Sequence, residues 1–186
     1  EEKSCAVDFD SMFKFGKAGP ELGELLLQEP RIFFEIAQEA LSQIELPRPV
    51  GLRFSNIPEP INIRDIRSKQ IEKFICVEGI VRRASEIRPE IVETVWECPE
   101  CGEKMIQEKK GGFIFRPFQC NCGNKRGFKQ VEQKLIDTRW ITLEEPFELT
   151  EGERPSQVNI WLSGDLASVD GRRITEPGNK LKINGV

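Results

Sequence analysis

The sequence has no histidine among its 186 residues, so any metal ion bound here would be held largely by cysteine. It has no apolar run near eighteen residues, which excludes a membrane-spanning helix of ordinary length. Its amino end does not resemble a secretion signal, so disulfides are not expected. No internal repeat or low-complexity tract is present. These absences leave a folded chain of one large or two small domains.

Four of the six cysteines form two close pairs, Cys98 with Cys101 and Cys120 with Cys122, and each pair is followed by glycine. Zinc prefers four soft ligands in a tetrahedron, and two short chelating turns supply them. Glycine after each pair suits a tight turn with positive φ. The second pair is one residue tighter than the usual Cys-x-x-Cys. The pattern predicts one structural zinc ion, because four thiolates leave no position open for catalysis.

Other roles for these cysteines fit less well. A redox Cys-x-x-Cys normally opens a helix, whereas Cys98 follows the strand-like run 91–96. Cys5 and Cys76 lie far from the cluster in sequence. Cys76 sits in an apolar run and is predicted to be a small buried hydrophobe.

The net charge of −4 argues at first against a nucleic-acid partner, but the charge is unevenly distributed. Residues 1–65 carry 7 basic and 12 acidic side chains, residues 66–130 carry 13 and 9, and residues 131–186 carry 7 and 10. The middle third is therefore basic between acidic segments. Ordinary solvated surface explains this pattern equally well.

The first 45 residues are predicted to be helical, with helices beginning at Pro20 and Pro30. Apolar residues recur at helical spacing on one face of each, and predict packing in a helical bundle: Leu22, Leu25 and Leu26 on the first, Phe33, Ile36, Ala37, Ala40, Leu41 and Ile44 on the second. Pro47 and Pro49 are expected to end the second helix. Residues 46–60 hold four prolines and are predicted to form an irregular connector.

Strands are predicted from residue 61 onward, at 74–84, 91–96, 128–143, 157–162 and 180–186. Gly79 is expected at a bulge or sharp bend. Five strands with a zinc ribbon inserted after the second predict a mainly β fold: a five-stranded OB-fold barrel joined to an amino-terminal helical bundle. Such barrels often bind single strands, although a fold alone does not establish a function.

Three segments carry a family resemblance. Residues 66–89, the Cys98–Gly102 motif just downstream and the Leu-Glu-Glu-Pro segment at 143–146 resemble the amino-terminal region of the minichromosome maintenance (MCM) replicative DNA helicases, most closely the archaeal type. The resemblance implies a helical bundle and connector at 1–60, an OB-fold at 61–97 and 127–186, and a zinc ribbon at 98–126.

The resemblance also implies partners and cofactors. Such domains assemble as a hexameric ring, in some members a double ring, around single-stranded and duplex DNA, and each chain holds one structural zinc. ATP and magnesium bind a separate motor domain. This sequence has no Gly-x-x-x-x-Gly-Lys-Ser/Thr phosphate loop, so the fragment itself is not expected to be an enzyme. The location expected is the cytoplasm, at the nucleoid, for an archaeal protein, or the nucleus for a eukaryotic one.

The DNA-binding residues are also expected from the resemblance. Arg83 and Arg88 match two arginines on the family's first hairpin, beside Arg82, and guanidinium groups suit phosphates and bases. Arg139 and Arg154 match a later pair more loosely, and solvation of a barrel face is the simpler role for them. Three further basic residues are candidates for contact with duplex DNA or for plain solvation: Lys125, Arg126 and Lys129.

Two further features bear on function. The acidic segment 145–156, near Asp165, corresponds to a family loop that passes information to the motor, although a flexible charged connection would look the same. The family's basic hairpin is expected beyond Val186, so the chain is expected to be cut from a longer protein and to bind DNA weakly, at about micromolar or poorer affinity.

Two alternatives of other classes remain. Zinc ribbons joined to barrels also occur in RNA-binding modules of translation factors and tRNA-processing enzymes. A module that binds only protein partners is the third possibility, and it would show no salt-dependent affinity for nucleic acid.

Overall fold

The computed structural model describes residues 3–45, 50–109, 112–150 and 152–186. Its helices are α1 (Phe9–Phe13), α2 (Gly19–Gln28), α3 (Pro30–Ser42) and α4 (Val169–Ile174). Its strands are β1 (Lys3–Asp8), β2 (Val50–Ser55), β3 (Ile75–Ala84), β4 (Arg88–Glu97), β5 (Lys104–Glu108), β6 (Lys129–Glu144), β7 (Gln157–Ser163) and β8 (Lys180–Gly185). The fold is therefore mainly β. Among these described helices, none is both long and apolar enough to cross a membrane.

The chain forms two compact units. The first comprises Glu1–Ser85 together with Trp140–Val186, and the second is Glu86–Arg139. We call the second the cysteine unit, because all four paired cysteines lie in it.

The two longer helices begin at or one residue before the predicted prolines, since Pro20 is the second residue of α2 and Pro30 the first of α3. Proline suits the first turn of α2 and of α3 because its ring fixes φ near the helical value. Its missing N–H costs nothing there, because an N–H group in the first turn has no partner within the helix. Asp8 caps α1 by accepting a hydrogen bond of 2.9 Å from the backbone N–H of Ser11. Pro47 and Pro49, the predicted end signal for α3, lie outside the described residues.

The prediction that residues 1–45 are entirely helical was wrong at their start. Strand β1 pairs in parallel with β2, which lies in the segment predicted to be an irregular connector. The pairing places Val7 opposite Phe54, and Phe54 is buried. Both strands are six residues long and their partner is distant in sequence, so neither carries a strong local signal.

A core of aromatic and aliphatic side chains holds helices α1, α2 and α3 of the first unit against β2. Its buried members are Phe9, Leu26, Phe33, Phe54, Ile57, Phe74 and Cys76. The Phe33 and Phe54 rings meet edge to face at 5.5 Å. Cys76 is buried as predicted. The predicted stripe on α3 reaches this core only in part, because Ile36 and Ile44 are 51% and 57% exposed.

A second core in the same unit lies on the sheet. Strand β3 pairs antiparallel with β8 and with the end of β6, and β7 also pairs with β6. Buried residues of this core are Ile63, Val77, Val81, Ile141, Leu143 and Leu162. A bulge or sharp bend was predicted at Gly79, but the bulge in β3 falls between Val81 and Arg83, and Gly79 pairs with Leu181 in an unbroken register. Gly79 instead allows close packing, since a Cβ there would lie 2.7 Å from the Glu144 carbonyl oxygen.

The predicted closure into a five-stranded barrel is not found. Among the described strands the order is β5-β4-β6-β3-β8, with β7 attached to β6, and no pair joins the two ends. Strand β4 pairs with β5 and with the first part of β6 inside the cysteine unit. Strand β5 was not predicted, because Met105 and Ile106 are the only apolar residues in a strand whose other members are Lys104, Gln107 and Glu108.

Candidate metal centre and nucleic-acid surface

Four thiols converge in the cysteine unit. Their sulfur atoms all lie within 4.8 Å of one another, and they belong to Cys98, Cys101, Cys120 and Cys122. The Sγ atoms of Cys98 and Cys122 are 3.6 Å apart, and those of Cys101 and Cys120 are 3.4 Å apart. A tetrahedron with Zn–S bonds of about 2.3 Å has edges of about 3.8 Å. The four donors therefore fit zinc in both chemistry and spacing.

Two glycine turns bring the thiols together. Gly102 has a φ of 73° and Gly123 a φ of 91°, so the positive φ predicted for both positions is confirmed. Their N–H groups donate to the carbonyl oxygens of Cys98 and Cys120, each at 2.9 Å. Each pair thus sits in its own closed turn, despite the tighter spacing of the second.

Hydrogen bonds favour the thiolate of Cys98. Burial opposes its ionisation, but the side chain of Asn124 and the backbone N–H groups of Cys101 and Glu100 bring the pKa of Cys98 down to about 6. The Asn124 Nδ2 atom lies 3.5 Å from the Cys98 sulfur. Because a metal takes the deprotonated thiolate, these donors prepare Cys98 as a ligand.

Glu103 contributes a carboxylate beside the cluster, and sequence reasoning missed it. The Cys120 thiol donates to Glu103 Oε2 at 2.9 Å, and this bond raises the pKa of Cys120. The same contact and a hydrogen bond from Asn121 lower the pKa of Glu103. Only one indication of this contact is present in the sequence, which is the position of Glu103 two residues after Cys101.

The hydrophobic core of this unit is small. Its buried members are Cys98, Cys120 and Phe128, with Trp96 and Met105 packed partly against them. Cys101 and Cys122 are exposed. A core of this size stabilises a lobe weakly, so a metal crosslink between the two turns would supply much of its stability.

The predicted DNA-binding arginines of the first hairpin are exposed. Arg82 and Arg83 lie near the end of β3 in the first unit, and Arg88 begins β4 in the cysteine unit. Arg82 is the extra residue of the β3 bulge, and its Nε lies 3.8 Å from Glu144 Oε2. A bulge re-aims a side chain relative to its neighbours on a strand. Arg82 and Arg83 are therefore both available at the surface.

The later pair of arginines differs in burial. Arg139, in β6, is only 3% exposed, so its guanidinium cannot meet a phosphate in this conformation. Arg154 is exposed in the segment between β6 and β7. The three basic residues that follow the cysteines are also exposed: Lys125, Arg126 and Lys129.

The acidic segment 145–156 is anchored by its first residue. Glu145 is 2% exposed, and its carboxylate accepts hydrogen bonds from the backbone N–H groups of Arg64 and Ser156 at 2.7 and 3.0 Å. The Arg64 side chain reaches Glu145 at 3.1 Å and Glu153 at 3.0 Å. Burial opposes ionisation of Glu145, but these donors hold its pKa below the ordinary value.

Other acidic residues of that group are placed differently. Glu148 is exposed, and Glu151 lies outside the described residues. Asp165 accepts hydrogen bonds from Ser4 and Arg53, so it ties β1 and β2 to the turn after β7. Asp165 therefore has a structural contact of its own inside the first unit.

The sequence model of the MCM OB domain matches residues 62–186. The chain is 27% identical over 203 residues to the minichromosome maintenance protein MCM of Saccharolobus solfataricus, and 24% identical over 204 residues to an uncharacterized MCM-type protein of Methanocaldococcus jannaschii. Each match covers 100% of this chain and 28% of the relative.

A eukaryotic relative is similar over a shorter stretch. The DNA replication licensing factor mcm6 of Schizosaccharomyces pombe is 30% identical over 142 residues, which cover 73% of this chain and 15% of that protein. The chain thus spans less than a third of the length of each of these relatives.

Proposed function

The chain belongs to the MCM family, and from this membership we propose that it is the DNA-binding and ring-assembly part of a replicative DNA helicase. The match of the OB-domain model over residues 62–186 carries the proposal, because that range contains both the arginine hairpin and the four cysteines. ATP hydrolysis and its magnesium would belong to a separate motor domain, since this sequence contains no phosphate loop.

The proposed domain plan has three parts. Residues 1–60 form a helical subdomain with its connector, residues 61–97 and 127–186 form the OB-fold, and residues 98–126 form a zinc ribbon. The four-thiol cluster supports the ribbon, and the helices α2 and α3 over their shared core support the helical part. The parent protein would assemble as a hexamer or double hexamer around DNA, at the nucleoid or in the nucleus.

The proposed zinc ion would be held by Cys98, Cys101, Cys120 and Cys122. When bound, it supplies a crosslink of four thiolates and no open coordination position, so its role is structural. The chain contributes the two glycine turns and the Asn124 donor that stabilises the Cys98 thiolate. The carboxylate of Glu103 accepts from Asn121 and keeps the second turn beside the first.

The proposed DNA contacts are exposed cations of each unit. They are Arg82, Arg83 and Arg154 in the first unit and Arg88, Lys125, Arg126 and Lys129 in the cysteine unit. Their contacts would be mostly to phosphates, which give affinity without sequence preference and a strong dependence on salt. Arg139 is not among them, because that side chain is buried. We place coupling to the motor at residues 145–156, where Glu145 fixes one end of the segment.

The test is a titration of labelled single-stranded DNA at rising salt. Replacing Arg83 and Arg88 together by alanine should weaken binding. It should also reduce the slope of log affinity against log salt by the amount that about two phosphate contacts contribute. The matched control is Arg172→Ala with Arg173→Ala, which removes the same charge from exposed positions on α4. Salt-insensitive binding, or equal losses in the two double variants, would contradict the proposal. A preference for structured RNA over DNA would favour the RNA-binding alternative.

A further inference from the structure

An open groove lies in the cysteine unit, and none of its lining residues belongs to the arginine hairpin. Its volume is about 540 Å³ and its lining is Met105, Ile106, Gln107, Pro117, Phe118, Gln119 and Asn121. Four of these residues are apolar and three end in amides. The groove therefore offers flat apolar contact together with a few polar groups, the usual combination in a site for a small planar ring.

Phe118 is the most exposed large apolar residue among the described residues, with 82% of its surface open. Ile106, across the same groove, is 61% exposed. Burial of the Phe118 and Ile106 side chains by a ligand would contribute a favourable free energy of about 25 cal/mol for each Å² of apolar area removed from water. An aromatic ring exposed at the rim of a groove is available to stack on a partner ring.

The Phe118 ring also has a cation beside it. The Nζ atom of Lys125 lies 5.8 Å from the ring centroid, within the range of a cation–π contact. A ring with an adjacent lysine matches the two parts of a nucleotide, because the ring can stack on the base and the ammonium group can meet the phosphate.

The amides in the groove suit the edge of a base. Gln107 and Gln119 each carry a donor and an acceptor, as the edges of unpaired bases do. The Asn121 amide nitrogen is engaged by Glu103, which leaves its carbonyl oxygen as an acceptor. Side chains with both donor and acceptor accept different bases by rotating, so little sequence preference is expected.

The charge of the surrounding segment fits a polyanion. Residues 103–129 contain two acidic side chains, Glu103 and Glu108, against seven basic ones: Lys104, Lys109, Lys110, Arg116, Lys125, Arg126 and Lys129. Glu103 is engaged by Asn121. The segment that carries Phe118 and Lys125 is therefore basic within an acidic protein, which favours a phosphate-bearing partner over an apolar peptide.

We propose that this groove binds an unpaired base of single-stranded DNA, stacked on Phe118, with Lys125 on the adjacent phosphate. The inference rests on the proposed DNA-binding function and adds a site that holds a base to its phosphate contacts. Stacking requires a splayed base, so duplex DNA would not use the groove.

The test compares a labelled thymine oligonucleotide with an oligonucleotide of equal length and charge that has abasic sites. The wild-type chain should bind the thymine strand better, and Phe118→Leu should reduce that preference about five-fold or more, because leucine keeps the apolar contact and loses the stacking face. Phe118→Trp should retain the preference, and duplex DNA should compete poorly. The matched control is Phe15→Leu, which replaces a phenylalanine that is 75% exposed in the first unit.

Separate outcomes distinguish this inference from the proposed function. An unchanged thymine preference in Phe118→Leu, with salt-dependent binding intact, would overturn the groove assignment alone. Wild-type protein that binds neither oligonucleotide would overturn both proposals. If Phe118→Leu instead dissociates an assembly in sedimentation and leaves the thymine preference intact, the groove binds a second copy of the chain and the inference fails.

Discussion

Arg64 and Glu145 form a largely buried ion pair inside the first unit. Glu145 accepts both the backbone N–H and the side-chain Nε of Arg64, and its side chain is only 1% exposed against 25% for Arg64. The same carboxylate accepts the N–H of Ser156 at 3.0 Å, so one buried charge joins the turn before β3 to both ends of the segment 145–156.

Glu145→Gln should lower the free energy of unfolding by about 3 kcal/mol, because it leaves the Arg64 charge without its buried partner. Urea unfolding of both proteins at neutral pH measures the loss. Glu148→Gln is the control, since this exposed glutamate lies in the same segment and its replacement should change stability by less than about 0.5 kcal/mol. Equal stabilities of Glu145→Gln and wild type would show that the pair contributes nothing.

The same carboxylate makes stability depend on pH. The pKa of Glu145 lies below its ordinary value of 4.5 in the folded chain, so its contribution is full above 4.5 and is lost as pH falls through the folded-state pKa. Urea midpoints measured from about pH 6 down to about pH 3 should fall for the wild type. They should fall less in Glu145→Gln, and parallel profiles would exclude Glu145 as a source of the acid sensitivity.

Removal of a cluster thiol should lower the zinc content. The wild-type chain, purified without chelator, should carry one zinc ion. Cys122→Ser should bind zinc far more weakly, because loss of the fourth thiolate removes part of an apparent binding free energy of about 10–16 kcal/mol. Elemental analysis and competition with a coloured chelator measure this. Cys5→Ser is the control, since Cys5 is exposed and lies in the other unit. Equal zinc content in the two variants would exclude Cys122 as a ligand.

Gly79→Ala should destabilise the first unit. The added Cβ would lie 2.7 Å from both the Glu144 carbonyl oxygen and the Leu143 Cγ, so the backbone of β6 has to move, at a cost of about 1–3 kcal/mol. Gly51→Ala in β2 is the control, because a Cβ there meets nothing within 4 Å. Thermal unfolding that ranks the two variants equally would contradict the close-packing role of Gly79.

Local signals predicted most elements of this chain. Proline in the first helical turn located α2 and α3, and alternating or continuous apolar runs located β3, β4, β6, β7 and β8 to within a few residues. The parallel pair β1 and β2 was missed because its stability comes from partners about 47 positions apart. The apolar stripe predicted for the second helix was too long for a related reason. Spacing places Ile36 and Ile44 on one face, but α3 ends at Ser42, and packing leaves both side chains exposed.

The candidate site divides in the same way. Spacing alone was enough to select the four thiols, because a chelating turn is a local structure and zinc has few acceptable ligands when histidine is absent. Spacing was not enough to select the DNA-binding residues. A sequence shows that Arg83 and Arg139 are both charged, but not that Arg83 is exposed and Arg139 is buried.

The sequence by itself therefore determined which four thiols converge, the starts of the two longer helices to within a residue, and the family, all of which depend on residues close together along the chain. Only the tertiary structure decided that Glu145 is a buried partner of Arg64 and not part of a loose acidic loop, and that Glu103 stands beside the thiols. Burial and pairing of charges depend on which segments distant in sequence come into contact. Local patterns in a single sequence do not show these contacts.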